Sequence, residues 1–361
     1  MSRIKSLLFL LALAAQASLA SATVTYVVGT CKNSNNTITS ITQALQTTPR
    51  PNVVEVCPGY YVEQVVITFP VTLEGISGGS TALVNISPPS SGLVTTTTDS
   101  GTPIAAQVWV DNAGGEVNLT NLNVSGVGYT PSNAHYAGVL YQNTPGTMNH
   151  MVSVLHVGNG FGVGVWLQGG SAEPSVTLEN SFIAEADTAA LAAETNSSTS
   201  ELNLTIKGNS MNPGANNTET LYGIALFGGL TATISDNLIT GGPTAMWIES
   251  GSEGTISKNT IDGYNEDGAA IILKSDGMSI TGNTIEGNGV GVGIAVSSSV
   301  APVTDNTIRF EDQGIDFVCI AGNNVHSNTI TGGNYGIIDV PASAVSANTY
   351  YSVGVSRKGG C

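Results

Sequence analysis

The stretch TISKNTIDG, residues 255–263, is nearly repeated as SITGNTIEG at residues 279–287. Related phrases stand on both sides, TISDNLITG at 233–241, VTDNTIRF at 303–310 and HSNTITGG at 326–333. The shared frame is Ile/Val-x-x-Asn-x-Ile. Aligned on its asparagine, it recurs at Asn180, Asn209, Asn237, Asn259, Asn283, Asn306, Asn328 and Asn348, with intervals of 20 to 29 residues. Self-similarity at such a period marks an architecture in which each unit buries its apolar face against its neighbours.

Two repeat architectures carry an asparagine in this way. Leucine-rich repeats need a dense Leu framework, whereas Ile, Val and Thr stand at the repeating positions here, with no helix-period stretch between the asparagines. A β-solenoid fits. A second phrase between the asparagines, Gly/Ala-Ile-x-hydrophobic-x, confirms the register: GVLYQ from Gly138, GVWLQ from Gly164, ALAAE from Ala190, GIALF from Gly223 and AMWIE from Ala245. It continues as AIILK from Ala270, GIAVS from Gly293, GIDFV from Gly314 and GIIDV from Gly336. Each coil then holds three short strands, in one case GIAVSS, APVT and, after the Asn306 corner, TIRF. Composition agrees: β-branched residues suit pleated surfaces and Gly or Asn suits tight turns, and the chain has 44 Gly with only 10% charged and 6% aromatic residues.

These phrases resemble the right-handed parallel β-helix superfamily, the fold of pectate lyases and polygalacturonases, over nearly all of the chain. The asparagine corner is similar to that superfamily's tight turn between its second and third sheets. Stacked Asn side chains there are expected to bond up and down the column, and Asn is expected to supply the left-handed turn geometry. The segment TSITQALQT, residues 39–47, places Ile41, Ala44 and Leu45 on one helical face and resembles the short helix that plugs the first coil. PGYYVEQVVI, residues 58–67, is similar to the opening of many β-helix proteins, pectin methylesterases included, with Glu63, Val65 and Ile67 expected along one side of a strand. The fold expected is all-β, a right-handed parallel β-helix of about twelve coils with a short N-terminal capping helix. At ~4.8 Å per coil it forms a rod roughly 60 Å long. One domain is expected over 23–361, with an N-terminal cap at 23–52 and a C-terminal cap or tail at 345–361.

Residues 1–22 read as a secretory signal peptide, with Arg3 and Lys5, an apolar run from Leu7 and the small-residue site Ala20-Ser21-Ala22. A secreted, periplasmic or cell-surface protein is expected, with no other apolar run long enough to span a membrane. Without Arg3 and Lys5, 8 basic residues face 26 acidic ones, a formal charge of −18. Such a surface disfavours nucleic acid and acidic membranes, which need compensating cations. Cys31, Cys57, Cys319 and Cys361 allow three disulfide pairings; Cys31–Cys57 with Cys319–Cys361 is preferred because each pair lies near one end. His135, His150, His156 and His326 form no ligand-like spacing.

In the strand phrase the Ile and the hydrophobic residue point inward, so both x positions face outward. The first x column reads Leu140, Trp166, Ala192, Ala225, Trp247, Ile272, Ala295, Asp316, Ile338, and QVWVD from Gln107 adds Trp109 and Asp111 one coil earlier. The second reads Gln142, Gln168, Glu194, Phe227, Glu249, Lys274, Ser297, Val318, Val340. All three tryptophans therefore fall in one outward column, beside Asp111, Gln142, Gln168, Glu194, Glu249 and Lys274. Aromatic faces flanked by amides and carboxylates suit sugar rings, and the resemblance makes this the sheet whose outer face forms a polysaccharide cleft. A polysaccharide or cell-surface glycan is the expected partner, with Trp109, Asp111, Gln142, Trp166, Gln168, Phe227, Trp247 and Lys274 as the binding groove. A covering loop or a second subunit is the competing use of such a strip.

Glu194, Glu249 and Asp316 are the candidate catalytic carboxylates for a hydrolase or lyase in the same groove. Glu194 and Glu249 lie two coils apart, about 10 Å by strand spacing, slightly beyond the ~6.5–9.5 Å of an inverting pair; Glu249 and Lys274 read as a surface pair. No cofactor is expected. Glu266, Asp267, Glu311 and Asp312 are expected to form a solvated acidic edge, with a Ca²⁺ site as the alternative. The resemblance brings no mechanism with it. Asn-Thr-Asp, Asp-Asp, Gly-His-Gly and Arg-x-Lys elements of polygalacturonases are absent from the mature chain; GIDFV lacks its methylesterase partners; VWVDN has Asn112 where the lyase phrase has His; and Arg309 falls on a third-sheet strand. A binding function without catalysis is therefore expected, with the enzyme and a structural adhesion rod as rivals.

Overall fold

The computed structural model describes residues 23–359 apart from 33–37, 78–82, 99, 130, 132, 155–161, 171–172, 196–200, 215–221, 264–267, 298–299, 318–323 and 341–345. The signal-peptide reading, Cys319, Cys361, His156, Glu266 and Asp267 lie outside the described residues. Three parallel sheets wind around one core, and within each sheet neighbouring strands are one coil apart in sequence. The second and third sheets hold 12 strands each and the first holds 13, so the coils are less uniform than twelve identical turns. Thr95–Thr97 pairs antiparallel with Pro103–Asp111, and Gly170 makes an isolated antiparallel bridge to Glu201. At the C-terminal end Thr349–Tyr351 continues the third sheet and Val355–Lys358 the first.

The core is a single column of fully buried Val, Ile, Leu, Met and Tyr side chains running from Val28 to Val340. Its N-terminal plug is a helix over Ile41–Gln46, a residue or two shorter at each end than its sequence pattern suggests. Ile41, Ala44 and Leu45 are its buried face, and Ser40 caps it by accepting Gln43 N–H at 3.1 Å. Glu63 is not part of a strand face. It sits in a break between Gly59–Val62 and Val65–Ile67 and accepts the Ile41 and Thr42 N–H groups, each at 2.8 Å. Val65 and Ile67 are buried as expected. The cap is tied down further by the Cys31–Cys57 disulfide.

The asparagine ladder runs from Asn209 through Asn237, Asn259, Asn283, Asn306 and Asn328 to Asn348. At every step the Oδ1 of one Asn accepts both the backbone N–H and the side-chain amide of the Asn before it, at 2.9–3.1 Å. The side-chain amide also reaches a carbonyl of the preceding second-sheet strand, such as Ile234 O from Asn259 at 3.0 Å. Two expectations are corrected. Asn180 is exposed and outside the ladder; the rung is Ser181, whose N–H donates to Asn209 Oδ1 at 3.0 Å and whose Oγ accepts Met151 N–H. Nor do the ladder asparagines adopt positive φ. The residue before each from Asn209 to Asn328 does: Gly208, Asp236, Lys258, Gly282, Asp305 and Ser327, with φ between 56° and 66°. The chain turns on that residue, and the Asn satisfies the backbone groups the turn leaves open.

The glycine opening the first-sheet phrase has a different cause. Its φ is ordinary, but a Cβ at Gly293 would stand 2.6 Å from Gly314 O and 2.7 Å from Ile308 Cγ2, and one at Gly164 would be 2.2 Å from Ile183 Cγ2. The third-sheet Ile of the ladder frame fills the space that the glycine vacates, which locks the corner between third and first sheets.

Candidate functional site

The first sheet aligns the two outward columns. Trp109 pairs with Leu140, Leu140 with Trp166, Trp166 with Ala192, Ala192 with Ala225, Ala225 with Trp247, Trp247 with Ile272, Ile272 with Ala295 and Ala295 with Asp316. Beside it Asp111, Gln142, Gln168, Glu194 and Phe227 pair in turn, and backbone bonds Glu249 N to Leu226 O and Lys274 N to Ile248 O carry the column onward. The intervening Val108, Val110, Val165, Leu226 and Ile248 belong to the core. Period-two alternation thus places the three indoles on the outside of one sheet.

Outward does not mean open. Leu140, Ala192, Ala225, Gln168 and Ile338 are buried, contrary to the solvent-facing role expected of the x positions, and Val340 belongs to the main core; Val318 lies outside the described residues. The outer face carries small apolar clusters of its own: Ile104, Ala106, Ala137 and Leu140 under Trp109 and Trp166, and Val163, Ala189, Ala192 and Ala225 under Trp166 and Tyr222. Trp109 and Trp166 lie partly over this floor, all three indoles remain partly exposed, and Phe227 is 38% exposed. His135 meets Trp166 edge-on at 6.2 Å between centroids, and burial lowers its imidazole below the ordinary value. The Trp166 Nε1 is buried and has no hydrogen-bond partner among the described residues.

Two polar relays follow the second column. Trp109 Nε1–H donates to Gln142 Oε1 at 2.6 Å, Gln142 Nε2 to Gln168 Oε1 at 2.6 Å and to Thr97 O at 3.0 Å, and Gln168 Nε2 to Glu194 Oε1. One indole and two amides, on three successive strands, thereby hold the Glu194 carboxylate in one orientation. In the second relay Trp247 Nε1–H donates to Glu249 Oε1 at 2.8 Å and Lys274 Nζ contacts that oxygen at 3.3 Å, the surface pair expected from the sequence. Lys274 Nζ also sits 3.9 Å from the Trp247 ring centroid. Phe227 stands between Glu194 and Glu249 in the ladder, about 5 Å from each along the rod by strand spacing.

Asp316 stands toward the far end of the first column, paired onward with Ile338. Burial, and secondly the Asp339 carboxylate, raise its pKa above 3.8. The acidic edge is dispersed: Glu311 is buried, its carboxylate against the Gly287 position, and Asp312 accepts the Asn334 amide. A solvated Glu311 is therefore corrected, and among the described residues no group of three or more His, Cys, Asp or Glu side chains is placed to hold a metal ion. Arg309 is exposed on the third sheet, away from the indoles. The sequence reading missed Tyr222, His135 and the apolar floor. Tyr222 and Val163 lie just before the repeated phrase, where the chain bends at the glycine column and period-two counting breaks.

Residues 203–350 match the family model described as "Right handed beta helix region". The chain is a right-handed parallel β-helix. No curated protein sequence matches it. Among solved structures, it is similar to the DFA-IIIase of Arthrobacter chlorophenolicus A6 without its lid in complex with GF2, at 12% identity and a TM-score of 0.46, covering 90% of this chain and 98% of that one. It is also similar to the catalytic domain of a GH87 alpha-1,3-glucanase in complex with nigerose, at 14% identity, a TM-score of 0.42 and coverage of 93% and 69%. The A-module of the Azotobacter vinelandii mannuronan C-5 epimerase AlgE4 matches at 13% identity, a TM-score of 0.39 and coverage of 85% and 88%. Among the described residues, no helix of this β-helix is long and apolar enough to cross a membrane.

Proposed function

We propose that this β-helix is an exported carbohydrate-binding protein whose ligand lies along the outer face of the first sheet. The observation that carries the reading is the register of Trp109, Trp166 and Trp247 in one outward column, beside a second column of oriented amides and carboxylates. Sugar rings offer an apolar C–H face and a rim of hydroxyls. A partly exposed indole beside a fixed hydrogen-bonding group answers both. Export is supported by the Cys31–Cys57 disulfide, a bond that persists in oxidising compartments.

The test is a polysaccharide and glycan array probed with wild type and the Trp166→Ala/Trp247→Ala double variant. Binding by wild type and its loss in the correctly folded variant is the expected outcome. No glycan bound, together with self-association through this face, would instead make the column a packing surface of a structural rod.

A second reading has the same groove cleave its glycan, with Glu194, Glu249 or Asp316 as the acid–base groups. What favours it is the raised pKa of Asp316, since a carboxyl that holds its proton longer is the type used as a general acid. Release of reducing ends or unsaturated products, abolished by Glu249→Gln or Asp316→Asn, is its signature; binding without turnover rejects it.

A further inference from the structure

Lys274 occupies the indole face on which a sugar would stack. Its Nζ lies 3.9 Å from the Trp247 ring centroid and 3.3 Å from Glu249 Oε1, the oxygen that also accepts the Trp247 N–H at 2.8 Å. Tyr222 stands beside the indole, 5.7 Å away between centroids and tilted by 52°. A Trp face and a carboxylate on one ammonium form a two-sided cation cage: the ring quadrupole and the full negative charge attract the same group. The cage is open to solvent, for the Lys274 and Glu249 side chains are 36% and 33% exposed. Lys274 reaches it from the adjacent strand on a flexible four-carbon stem, so it can leave by changing rotamer with the sheet unmoved.

Any ligand that stacks on Trp247 displaces that ammonium and must leave Glu249 an equivalent partner. A neutral sugar supplies the apolar face without the charge. A uronate brings a second carboxylate next to Glu249, on a chain whose net charge is already −16. A protonated amino sugar supplies both the C–H face and the cation. Building on the carbohydrate-binding reading above, we propose that the Trp247 subsite takes a glucosamine-type unit whose ammonium replaces that of Lys274 in the cage. Lys274 is then a competitor built into the site, and Glu249 the group that selects a cationic ligand.

The experiment is calorimetric titration of wild type, Lys274→Ala, Glu249→Gln and Trp247→Ala proteins with glucosamine oligomers, with N-acetylglucosamine oligomers of equal length and with oligogalacturonate. Wild type is expected to prefer the free-amine oligomer by about fivefold or more, the scale of one exposed cation–π contact with its ion pair. Lys274→Ala should tighten free-amine binding by a similar factor, Glu249→Gln should erase the preference, and Trp247→Ala should abolish binding at this subsite. Methylammonium should quench the indole fluorescence of Lys274→Ala in a saturable way, and lose that effect when Trp247 is also replaced; absence of saturation overturns the cage. Equal or tighter binding of the acetylated or uronate oligomer through Trp247, or weakened free-amine binding in Lys274→Ala, overturns the amino-sugar assignment while carbohydrate binding stands. If none of the oligomers nor any glycan on the array binds wild type, both fall together.

Discussion

Asn259 makes four hydrogen bonds with one buried side chain: its amide donates to Ile234 O and Asn283 Oδ1, and its own Oδ1 accepts the N–H and the side-chain amide of Asn237. Asn259→Ala leaves donors and acceptors on both neighbouring coils without partners in a dry column. Each such group costs about 1–3 kcal/mol, so a loss of about 2–4 kcal/mol is expected, read from the urea midpoint at unchanged slope. Asn259→Ser should lose less, because Ser181 serves as a rung in the same column. That rung was legible in the letters. Leu178-x-x-Ser181-x-Ile183 keeps the spacing of the ladder frame, whereas Asn180 puts Ile one place too far; residue type outweighed spacing, and spacing was the physical constraint. Asp316 gives a pH signature at the same scale. Its folded pKa lies above the ordinary 3.8 because of burial and the Asp339 carboxylate. The folded protein therefore holds this proton more tightly than the unfolded chain, and stability falls as pH rises from 3.8 through the raised value. Asp316→Asn removes that loss. The variant should melt higher than wild type at pH 7, with the difference closing as the pH drops below 3.8; an equal difference at both pH values would place the effect in packing.

At the level of the corner and the strand, the turn before each rung from Asn209 to Asn328 divides the work between two positions: one bends the chain through a left-handed conformation and the next satisfies its backbone. Lys258 has φ of 56° in a place that Gly208 and Gly282 occupy on other coils. Lys258→Gly should be close to neutral, since relief of the left-handed strain offsets the greater freedom of the unfolded glycine. Lys258→Ile should destabilise by about 1–2 kcal/mol, because a β-branched residue tolerates this geometry worst; thermal melts of the two variants check the contrast. The strands themselves were readable for a simple reason. A residue every second place along a ladder must share a face with its neighbours on adjacent coils, so Trp109, Trp166 and Trp247 could be aligned from the repeat alone. Whether that face is open depends on side chains from other places: Val163 joins the floor and Tyr222 packs on it from just before the repeated phrase, and Lys274 reaches back over Trp247 from the next coil. No periodicity within one strand encodes such contacts, which is why the column was found and its partial closure was not. The cap helix illustrates the same limit, since its apolar face was visible in residues 39–47 while its carboxylate cap, Glu63, arrives from the following coil.

For the molecule as a whole, each coil touches chiefly the coils before and after it, so stability should behave as a sum of coil and interface terms along one axis. This has a consequence that a globular core would not share. Deleting residues 284–306 removes one full turn, the strands Thr284–Glu286, Val292–Val296 and Val303–Thr304, and joins Asn283 to Thr307 in the frame that every other ladder residue has. The new neighbours are matched: Ile261 and Ile308 take the inward third-sheet positions on either side of the junction with Asn283 and Asn328 as rungs, and Ile271 meets Ile315 in the first sheet. Trp247 lies on a strand that the deletion leaves intact, and Glu249 and Lys274 directly follow such strands. The shortened protein should fold, keep a single cooperative unfolding transition with a somewhat lower midpoint, and retain whatever glycan binding the Trp247 region provides. Far-ultraviolet circular dichroism through a thermal melt, followed by the same titrations, measures both. A chain that fails to fold after losing one in-frame coil would mean that stability depends on contacts reaching beyond adjacent turns, and the nearest-neighbour account of this rod would have to be abandoned.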